Sequence, residues 1–379
     1  MPLDVLAISR QVHQMGALLA RRRAEEHHLL AVVRRLLEAY ADRWQELAAL
    51  AERARARVAV PTGPLDERVP APPRRAVYTA LAADGSEIDP DRHGGYGEFY
   101  LLNVGRARIP YGQPDREVEL KSVSHLGYTD DELFIVDPRD ARRQVPMRDR
   151  HLDALRTVAE LRALADLAEV ETEQHGDAPA VALVDGTLLF SVLEERPRDF
   201  LRARFFADFV DQLERMRQYR VPVAAYASRS RGVDLVNLLR QVTNDPLRGL
   251  TDVHVLGQDL SRWERSALFR VRSNVHDPYY VGHHVYFFLL DIGEEVARVE
   301  VPEWVARDRI KLNAVHAALV DQCAKGFGYP AVLARADDRA VISLNDRAVL
   351  ETLVRQELAR RGLPARPSAK LVRKQIRTV

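Results

Sequence analysis

The sequence predicts an α/β protein in which a mixed sheet carries helices on its faces and follows a helical extension. Two observations predict this fold class. Residues 4–57 place apolar side chains at helical spacing, with Gly16 as their one glycine and with no proline. From residue 77 onward three strand-like segments come first, and strands then alternate with helices, which is typical of a mixed sheet with helices on its faces.

The composition places the chain among ordinary globular proteins. Its 379 residues are 46% hydrophobic and 29% charged, which excludes disordered, collagenous and disulfide-scaffold proteins. The single cysteine, Cys323, excludes an internal disulfide and a thiolate metal site, and this usage fits a reducing compartment. No apolar run approaches the ~18 residues of a membrane span, and the first residues lack a signal-peptide pattern. We therefore expect a cytoplasmic protein with no membrane association.

The N-terminal region and the rest of the chain differ in hydrophobic period. Residues 4–57 predict one long helix or a helical hairpin, and the five prolines of 61–73 end it. We expect residues 1–75 to form a helical extension with a proline-rich linker, and residues 76–379 to form the main domain with a basic tail at 360–379. The elements predicted in that domain are strands 77–83, 98–109 and 117–128, helix 139–170, strand 180–190, helix 198–219, strand 221–228 and helix 233–242. This is also the element order of the ribonuclease H-like fold.

Three carboxylates fall where such a fold would bring them together. Asp84 and Asp185 each end an apolar strand and each precede a glycine and a hydroxyl residue, so neighbouring strands would present both at one edge of the sheet. Glu160 lies in the helical segment RTVAELRAL beside an apolar stripe, where an acid is unusual. A pair of divalent cations ~3.5–4 Å apart needs several such oxygen ligands. The alternative is structural, because Asp-Gly is a common turn signal and a helical glutamate can simply be ion-paired.

These segments resemble motifs of the NurA nuclease family, which comprises metal-dependent DNA nucleases that work with the hexameric translocase HerA. The first motif is similar to ADGSEIDPDRHGGYGEFYLLNVG, which contains Asp84; the second to RTVAELRAL, which contains Glu160; and the third to ALVDGTLL, which contains Asp185. Further similar blocks are VAAYASRSRGVDLVNLLR, ERSALFRVRS, EEVARVEVPEWVA and GYPAVLARADDRAVI. The resemblance runs from about residue 76 to the C-terminus. It implies a ribonuclease H-like fold, a Mn²⁺ or Mg²⁺ cofactor and a homodimer.

One position departs from the family pattern. The family places a tyrosine and a histidine at the active site in its last block; here Tyr329 is present, but the histidine position is Asp337. We favour substitution of one ligand type for another, because an aspartate is a hard oxygen donor that can bind Mg²⁺ or Mn²⁺ directly. The alternative is that the site has decayed and that the chain is a catalytically silent DNA-binding or translocase-docking subunit.

Two sets of basic residues are candidates for binding DNA. Arg229 and Arg231 follow a predicted strand, and arginine can contact phosphate through two hydrogen bonds. The tail 360–379 contains no acid. Its basic residues include Lys370, Arg373 and Lys374. Both sets have a plain alternative as solvated surface charge, since the whole chain carries a net charge of only +1.

We therefore interpret the chain as a metal-dependent DNA nuclease that acts by a two-metal mechanism. The expected metal ligands are Asp84, Glu160, Asp185 and Asp337, with Tyr329 orienting water or phosphate. The resemblance implies 5′ to 3′ exonuclease and single-strand endonuclease activity, in DNA end processing or in defence against foreign DNA, near the nucleoid. The sequence has no GxxxxGK[ST] phosphate-binding loop, so energy for translocation would come from a HerA-type hexameric ATPase.

Overall fold

The structure is a computed structural model that describes residues 4–89, 98–176, 178–190 and 199–363. The chain divides into two compact units. The first comprises residues 1–71 and 227–303, and the second comprises residues 72–226 and 304–379. No helix within the described ranges is long and apolar enough to cross a membrane.

The second unit is built on a five-stranded mixed sheet. In spatial order its strands are β9 (Val223–Ala227), β8 (Ala180–Asp185), β3 (Tyr78–Ile88), β4 (Tyr100–Tyr111) and β5 (Glu119–Gly127). β3, β4 and β5 form an antiparallel meander, whereas β8 and β9 run parallel to β3. The predicted mixed sheet with flanking helices is thereby confirmed.

Helices cover this sheet and extend beyond it. α4 packs on β3 and β4 through a row of buried residues, and α10 also packs on these two strands. The helices of this unit are α3 (Asp130–Leu133), α4 (Arg150–His175), α5 (Asp199–Gln218), α8 (Glu303–Ala306), α9 (Arg309–Lys325), α10 (Ala331–Ala340) and α11 (Leu344–Arg360).

Several predicted elements have different bounds in the structure. The strand predicted over 180–190 ends at Asp185, and the helix predicted over 233–242 ends at Leu239. The helix predicted over 139–170 begins only at Arg150, because β6 (Phe134–Asp137) and β7 (Asp140–Pro146) form a hairpin first. The strand predicted to end at Asp84 continues to Ile88. It continues because β4 supplies a partner as far as the pair Ile88–Leu101.

The first unit combines the N-terminal helices with antiparallel strands. Its helices are α1 (Val5–Tyr40), α2 (Trp44–Glu52), α6 (Asp234–Leu239) and α7 (Asp252–Leu256). Its strands are β1 (Val58–Pro61), β2 (Arg68–Val69), β10 (Arg265–Ser266), β11 (Phe269–Arg272), β12 (Val285–Asp291) and β13 (Val296–Pro302). The predicted N-terminal helical region is therefore present, as two helices separated at Ala41.

Candidate metal centre

Four carboxylates from four different elements of the second unit lie in one region of the sheet, where β8 ends beside the middle of β3. Asp84 lies on β3, Asp185 on the last residue of β8, Glu160 on α4 and Asp337 on α10. β3 and β8 pair in parallel up to Ala83–Val184, so the two aspartates that follow stand side by side. The charges of these groups act on one another, as the pKa shifts below show. Asp84 interacts with Asp185 and Asp337, and Glu160 interacts with Asp84 and Asp185.

Asp84 is the central member of this group. Burial raises its pKa to about 6, and the nearby Asp337 and Asp185 contribute to the increase by charge repulsion. Asp337 is also close enough to share a hydrogen bond with Asp84. The backbone N–H of Gly85 donates to Asp84 Oδ1 at 2.8 Å and partly offsets the shift. A nearby cation would therefore stabilise the charged form of the Asp84 carboxylate.

Glu160 is the most buried carboxylate of the group, with 7% of its surface exposed. Burial raises its pKa to about 8, and the charges of Asp84, Glu87 and Asp185 add to the increase. Arg156, one helical turn earlier, opposes it, with its Nη1 at 3.3 Å from Glu160 Oε1. A buried carboxylate is unfavourable on a packed helix face, and ordinary helix positions rarely carry one. A buried acid with a raised pKa is typical of a functional site, such as a metal-ligand position.

Gly85 makes room for Glu160 and Arg156. A Cβ placed on Gly85 would lie 2.6 Å from Glu160 Oε1 and 2.8 Å from Arg156 Cγ. Arg156 Nη1 also donates to the carbonyl oxygen of Gly85 at 3.3 Å, and its Nε lies 2.8 Å from Glu87 Oε2. The glycine is thus needed for space, and the Asp-Gly pair here is not the turn that its composition suggests.

Tyr329 joins the group from the residue before Pro330 at the start of α10. Its hydroxyl hydrogen-bonds to the carboxylate of Asp185, which opposes the rise in the pKa of Asp185 caused by burial. Burial and the charge of Asp185 raise the pKa of Tyr329 far above its ordinary value, so the phenol stays protonated and can only donate to a carboxylate. The ring packs edge-on against Tyr226 with centroids 5.7 Å apart. This contact orients the hydroxyl.

The chemistry of this donor set fits a divalent metal. Its donors are four carboxylates, which are hard oxygen ligands of the kind that Mg²⁺ and Mn²⁺ prefer. Burial, together with repulsion between the carboxylates, raises the pKa values of Asp84, Glu160 and Asp185, and a cation would stabilise the charged forms. As placed, no group of three or more histidine, cysteine or acidic side chains in the described ranges is close enough to hold a metal ion. Arg156 supplies the compensating charge instead.

The raised pKa values predict that the metal-free chain loses stability as the pH rises. The folded pKa is about 6 for Asp84 against an ordinary 3.8, and about 8 for Glu160 against 4.5. The folded state therefore binds more protons than the unfolded state, so the free energy of unfolding falls between about pH 4 and pH 8, by about 1.4 kcal/mol per pKa unit. Thermal unfolding in a chelator at pH 5 and pH 8 measures this. Glu160→Gln should weaken the pH dependence of the free energy of unfolding. An unchanged pH dependence in that variant would contradict the prediction.

The candidate DNA-binding residues are not all described. Arg229 and Arg231 lie in the first unit, both exposed, and Arg229 Nε is 3.7 Å from Glu295 Oε2. Lys370, Arg373 and Lys374 lie outside the described residues. Their roles stay predictions.

Two residues of the site escape prediction from the sequence. Arg156 stands four residues before Glu160, and Glu87 stands two residues after Gly85. Together they form a charged chain along the α4 face of β3. The spacing of Arg156 and Glu160 signals a helical ion pair, but nothing local to the sequence places Glu87 beside them.

Comparisons with known proteins bear on this site. A family model described as the NurA domain matches residues 78–342. A crystal structure of the NurA nuclease from Sulfolobus solfataricus is similar at 16% identity and TM-score 0.49, covering 78% of this chain and 87% of that chain. A crystal structure of NurA bound to dAMP and manganese is similar at 11% identity and TM-score 0.44, covering 76% of this chain and 90% of that chain. The comparison with curated proteins finds no match. Since the family model spans more than two thirds of the chain, and includes all five residues of the site, this protein belongs to the NurA family of nucleases.

Proposed function

We propose that the chain hydrolyses phosphodiester bonds in DNA with two divalent cations, Mn²⁺ or Mg²⁺, bound by Asp84, Glu160, Asp185 and Asp337. The observation that supports this most directly is that these four carboxylates, in a family member, lie in one region of the second unit, where β8 ends beside Asp84 of β3. The nuclease activity is assigned to residues 76–379, with 1–75 as an extension.

Each side chain has a defined task in this proposal. The cations, when bound, would activate water and stabilise the charge that develops on the phosphate and on the leaving oxygen. Asp84 and Asp185 supply charge from adjacent strands, and Glu160 supplies it from the α4 face through the space above Gly85. Tyr329 donates from a phenol that stays protonated, so it can orient a carboxylate, a water or a phosphate oxygen.

A metal titration of DNA cleavage tests the proposal. The substrates are end-labelled single- and double-stranded DNA, with Mn²⁺ and Mg²⁺ varied separately and a chelator as the blank. We expect cleavage that depends on the divalent ion. The absence of cleavage under every divalent ion would contradict the proposal and favour the catalytically silent DNA-binding or translocase-docking subunit.

Replacing Asp337, which stands where the family has a histidine, should change the metal requirement of cleavage in a defined direction. Asp337→Ala should raise the metal concentration for half-maximal cleavage by about tenfold, which corresponds to about 1.4 kcal/mol of binding free energy. Asp337→His should recover activity, more with Mn²⁺ than with Mg²⁺, because imidazole suits the softer ion. Metal titration of the cleavage rate measures both effects.

Asp338→Ala is the matched control for this series. Asp338 is exposed and pairs with Arg335 at 3.1 Å, so its loss leaves the carboxylate group intact. If Asp338→Ala impairs cleavage while Asp337→Ala behaves like the wild type, the assignment of the fourth ligand is wrong. If only Asp337→His cleaves, the silent-subunit interpretation is correct.

We extend the proposal to the basic residues, with Arg229, Arg231 and the tail that contains Lys370, Arg373 and Lys374 binding DNA phosphates. Arg229 and Arg231 are exposed and carry charge suited to that role. The logarithm of DNA affinity falls linearly with the logarithm of salt concentration. Truncation at residue 360 should make this slope less steep by ~0.9 for each duplex phosphate that the tail neutralises in the full chain. A truncated chain with the wild-type slope would show that the tail does not bind DNA.

Family membership supports three finer proposals. The chain acts as a homodimer, partners a HerA-type hexameric ATPase, and processes ends as a 5′ to 3′ exonuclease with single-strand endonuclease activity. The lack of a phosphate-binding loop in the sequence supports the need for a separate ATPase. Light scattering of the chain alone and mixed with such an ATPase tests the assembly, and cleavage of 5′- against 3′-labelled duplex tests the polarity. A chain that stays monomeric and does not bind the ATPase would contradict the proposed assembly. Shortening of the duplex from its 3′ end would contradict the proposed polarity.

A further inference from the structure

The carboxyl-terminal end of α10 is held by side chains from three strands. A helix leaves its last carbonyls without partners inside the helix. Here the Arg339 carbonyl accepts from Asn103 Nδ2 at 3.1 Å and from Ser122 Oγ at 2.6 Å, and the Ala340 carbonyl accepts from Asn103 Nδ2 at 2.8 Å. Ser86 Oγ donates to the Ala340 carbonyl as well. Strands β3, β4 and β5 therefore each contribute one cap.

Asn103 is fixed in the orientation that this contact needs. The residue is 7% exposed, and its Oδ1 accepts from Ser124 Oγ at 2.7 Å. The amide oxygen is thus hydrogen-bonded to a side chain of β5, and the amide nitrogen is hydrogen-bonded to the end of α10. A buried amide with both ends bonded has one productive orientation, so it locates the helix end closely.

Gly105 lets the helix approach the sheet. A Cβ on Gly105 would lie 2.1 Å from the Ala336 carbonyl oxygen and 2.5 Å from the Ala340 nitrogen. The last turn of α10 therefore rests on bare backbone of β4. Gly105 is the register partner of Asp84. The turn that carries Asp337 thus lies over the strand pair that carries Asp84.

The caps on the last carbonyls of α10 are neutral side chains. The carboxyl end of a helix carries partial negative charge, which a lysine or arginine commonly offsets. Arg339 is the basic residue in the last turn of α10. The Arg339 and Ala340 carbonyls themselves are bonded by one amide and two hydroxyls from the sheet, so these direct caps fix the helix end to the strands.

We propose that Asn103, Gly105, Ser86 and Ser122 form a seat for α10 that positions Asp337 beside Asp84 for metal binding. This inference rests on the proposed function, because it assigns Asp337 to a metal site. The four are positioning residues and act on the metal through Asp337.

The test is a double-mutant cycle read by Mn²⁺ affinity, measured by calorimetry without DNA. Asn103→Ala should weaken Mn²⁺ binding by about 10- to 100-fold, the usual effect of losing a residue that orients a metal ligand. In an Asp337→Ala background the same change should have little further effect, because the ligand that it positions is already absent. Equal losses in both backgrounds would overturn the proposal.

Two further variants keep the test decisive. Thr79→Val removes a buried hydrogen bond to Glu171, of 2.8 Å, at the opposite end of β3, so it should lower stability without changing Mn²⁺ affinity. If Asn103→Ala does not fold, the cycle is repeated with Ser122→Ala at the edge strand, and additive losses there count equally against the seat.

The two proposals fail in different ways. A chain that shows the non-additive pattern but cleaves no DNA supports the seat and contradicts the nuclease function. A chain that cleaves DNA but shows additive losses contradicts the seat alone. A wild-type chain that binds no Mn²⁺ overturns both.

Discussion

Asp84→Asn or Asp185→Asn should abolish metal-dependent cleavage of DNA while the fold stays intact. Each substitution removes one carboxylate charge from neighbouring positions on β3 and β8, where the proposed function places two of the metal ligands. Ligands of this kind contribute several kcal/mol to stabilising the transition state. We therefore expect the rate to fall by about a thousandfold or more, which corresponds to about 4 kcal/mol.

Single-turnover cleavage of end-labelled DNA with saturating Mn²⁺ measures this loss. Thermal unfolding without metal provides the fold check, and both variants should be at least as stable as the wild type, since each relieves repulsion between carboxylates. Asp338→Asn is the control, because this exposed residue pairs with Arg335. A rate within tenfold of the wild type in either variant would refute the metal-site assignment.

Gly85→Ala should have the second largest effect, although it adds only a methyl group. The new Cβ would overlap Glu160 Oε1 at 2.6 Å, so the carboxylate must leave its position or α4 must shift. A displacement of about 1 Å at a catalytic group can cost about 100-fold in rate. The backbone of β3 itself accepts alanine, because the strand conformation at residue 85 is ordinary.

The cleavage rate and the Mn²⁺ affinity of Gly85→Ala measure the effect. Gly63→Ala is a matched control, since a Cβ there meets nothing closer than Glu67 Oε2 at 3.7 Å. Wild-type activity in Gly85→Ala would mean that cleavage does not depend on the position of the Glu160 carboxylate. The assignment of Glu160 as a metal ligand would then be wrong.

The two Asp-Gly pairs show how far local sequence predicts this site. After Asp185 the glycine has a left-handed φ of +90° and β8 ends, as the turn signal indicates. After Asp84 the same pair lies within an eleven-residue strand, because β4 supplies a continuous partner. The sequence correctly predicts that a strand ends at Asp185, but it wrongly ends a strand at Asp84, because only the long-range pairing with β4 decides that β3 continues to Ile88.

Other features lie beyond local prediction for the same reason. The helical period of α4 is apparent in the sequence, yet it predicts too early a start because the hairpin β6–β7 has no strong alternation of its own. Family resemblance identifies Tyr329 and Asp337, whereas spacing does not. Asn103 and Arg156 are ordinary residue types whose roles arise only when strands and helices pack.

The alternation of side chains along β3 limits how the chain can change in length during evolution. Ser86 contacts α10, whereas Glu87 and the bare face of Gly85 meet α4. Inserting one residue between Tyr78 and Asp84 would turn Asp84 to the opposite face of the sheet, away from Asp337. Inserting two would restore the face but move the carboxylate by about 7 Å. Lineages that retain the activity should therefore keep this segment at constant length and accumulate insertions after Ile88, where pairing with β4 ends.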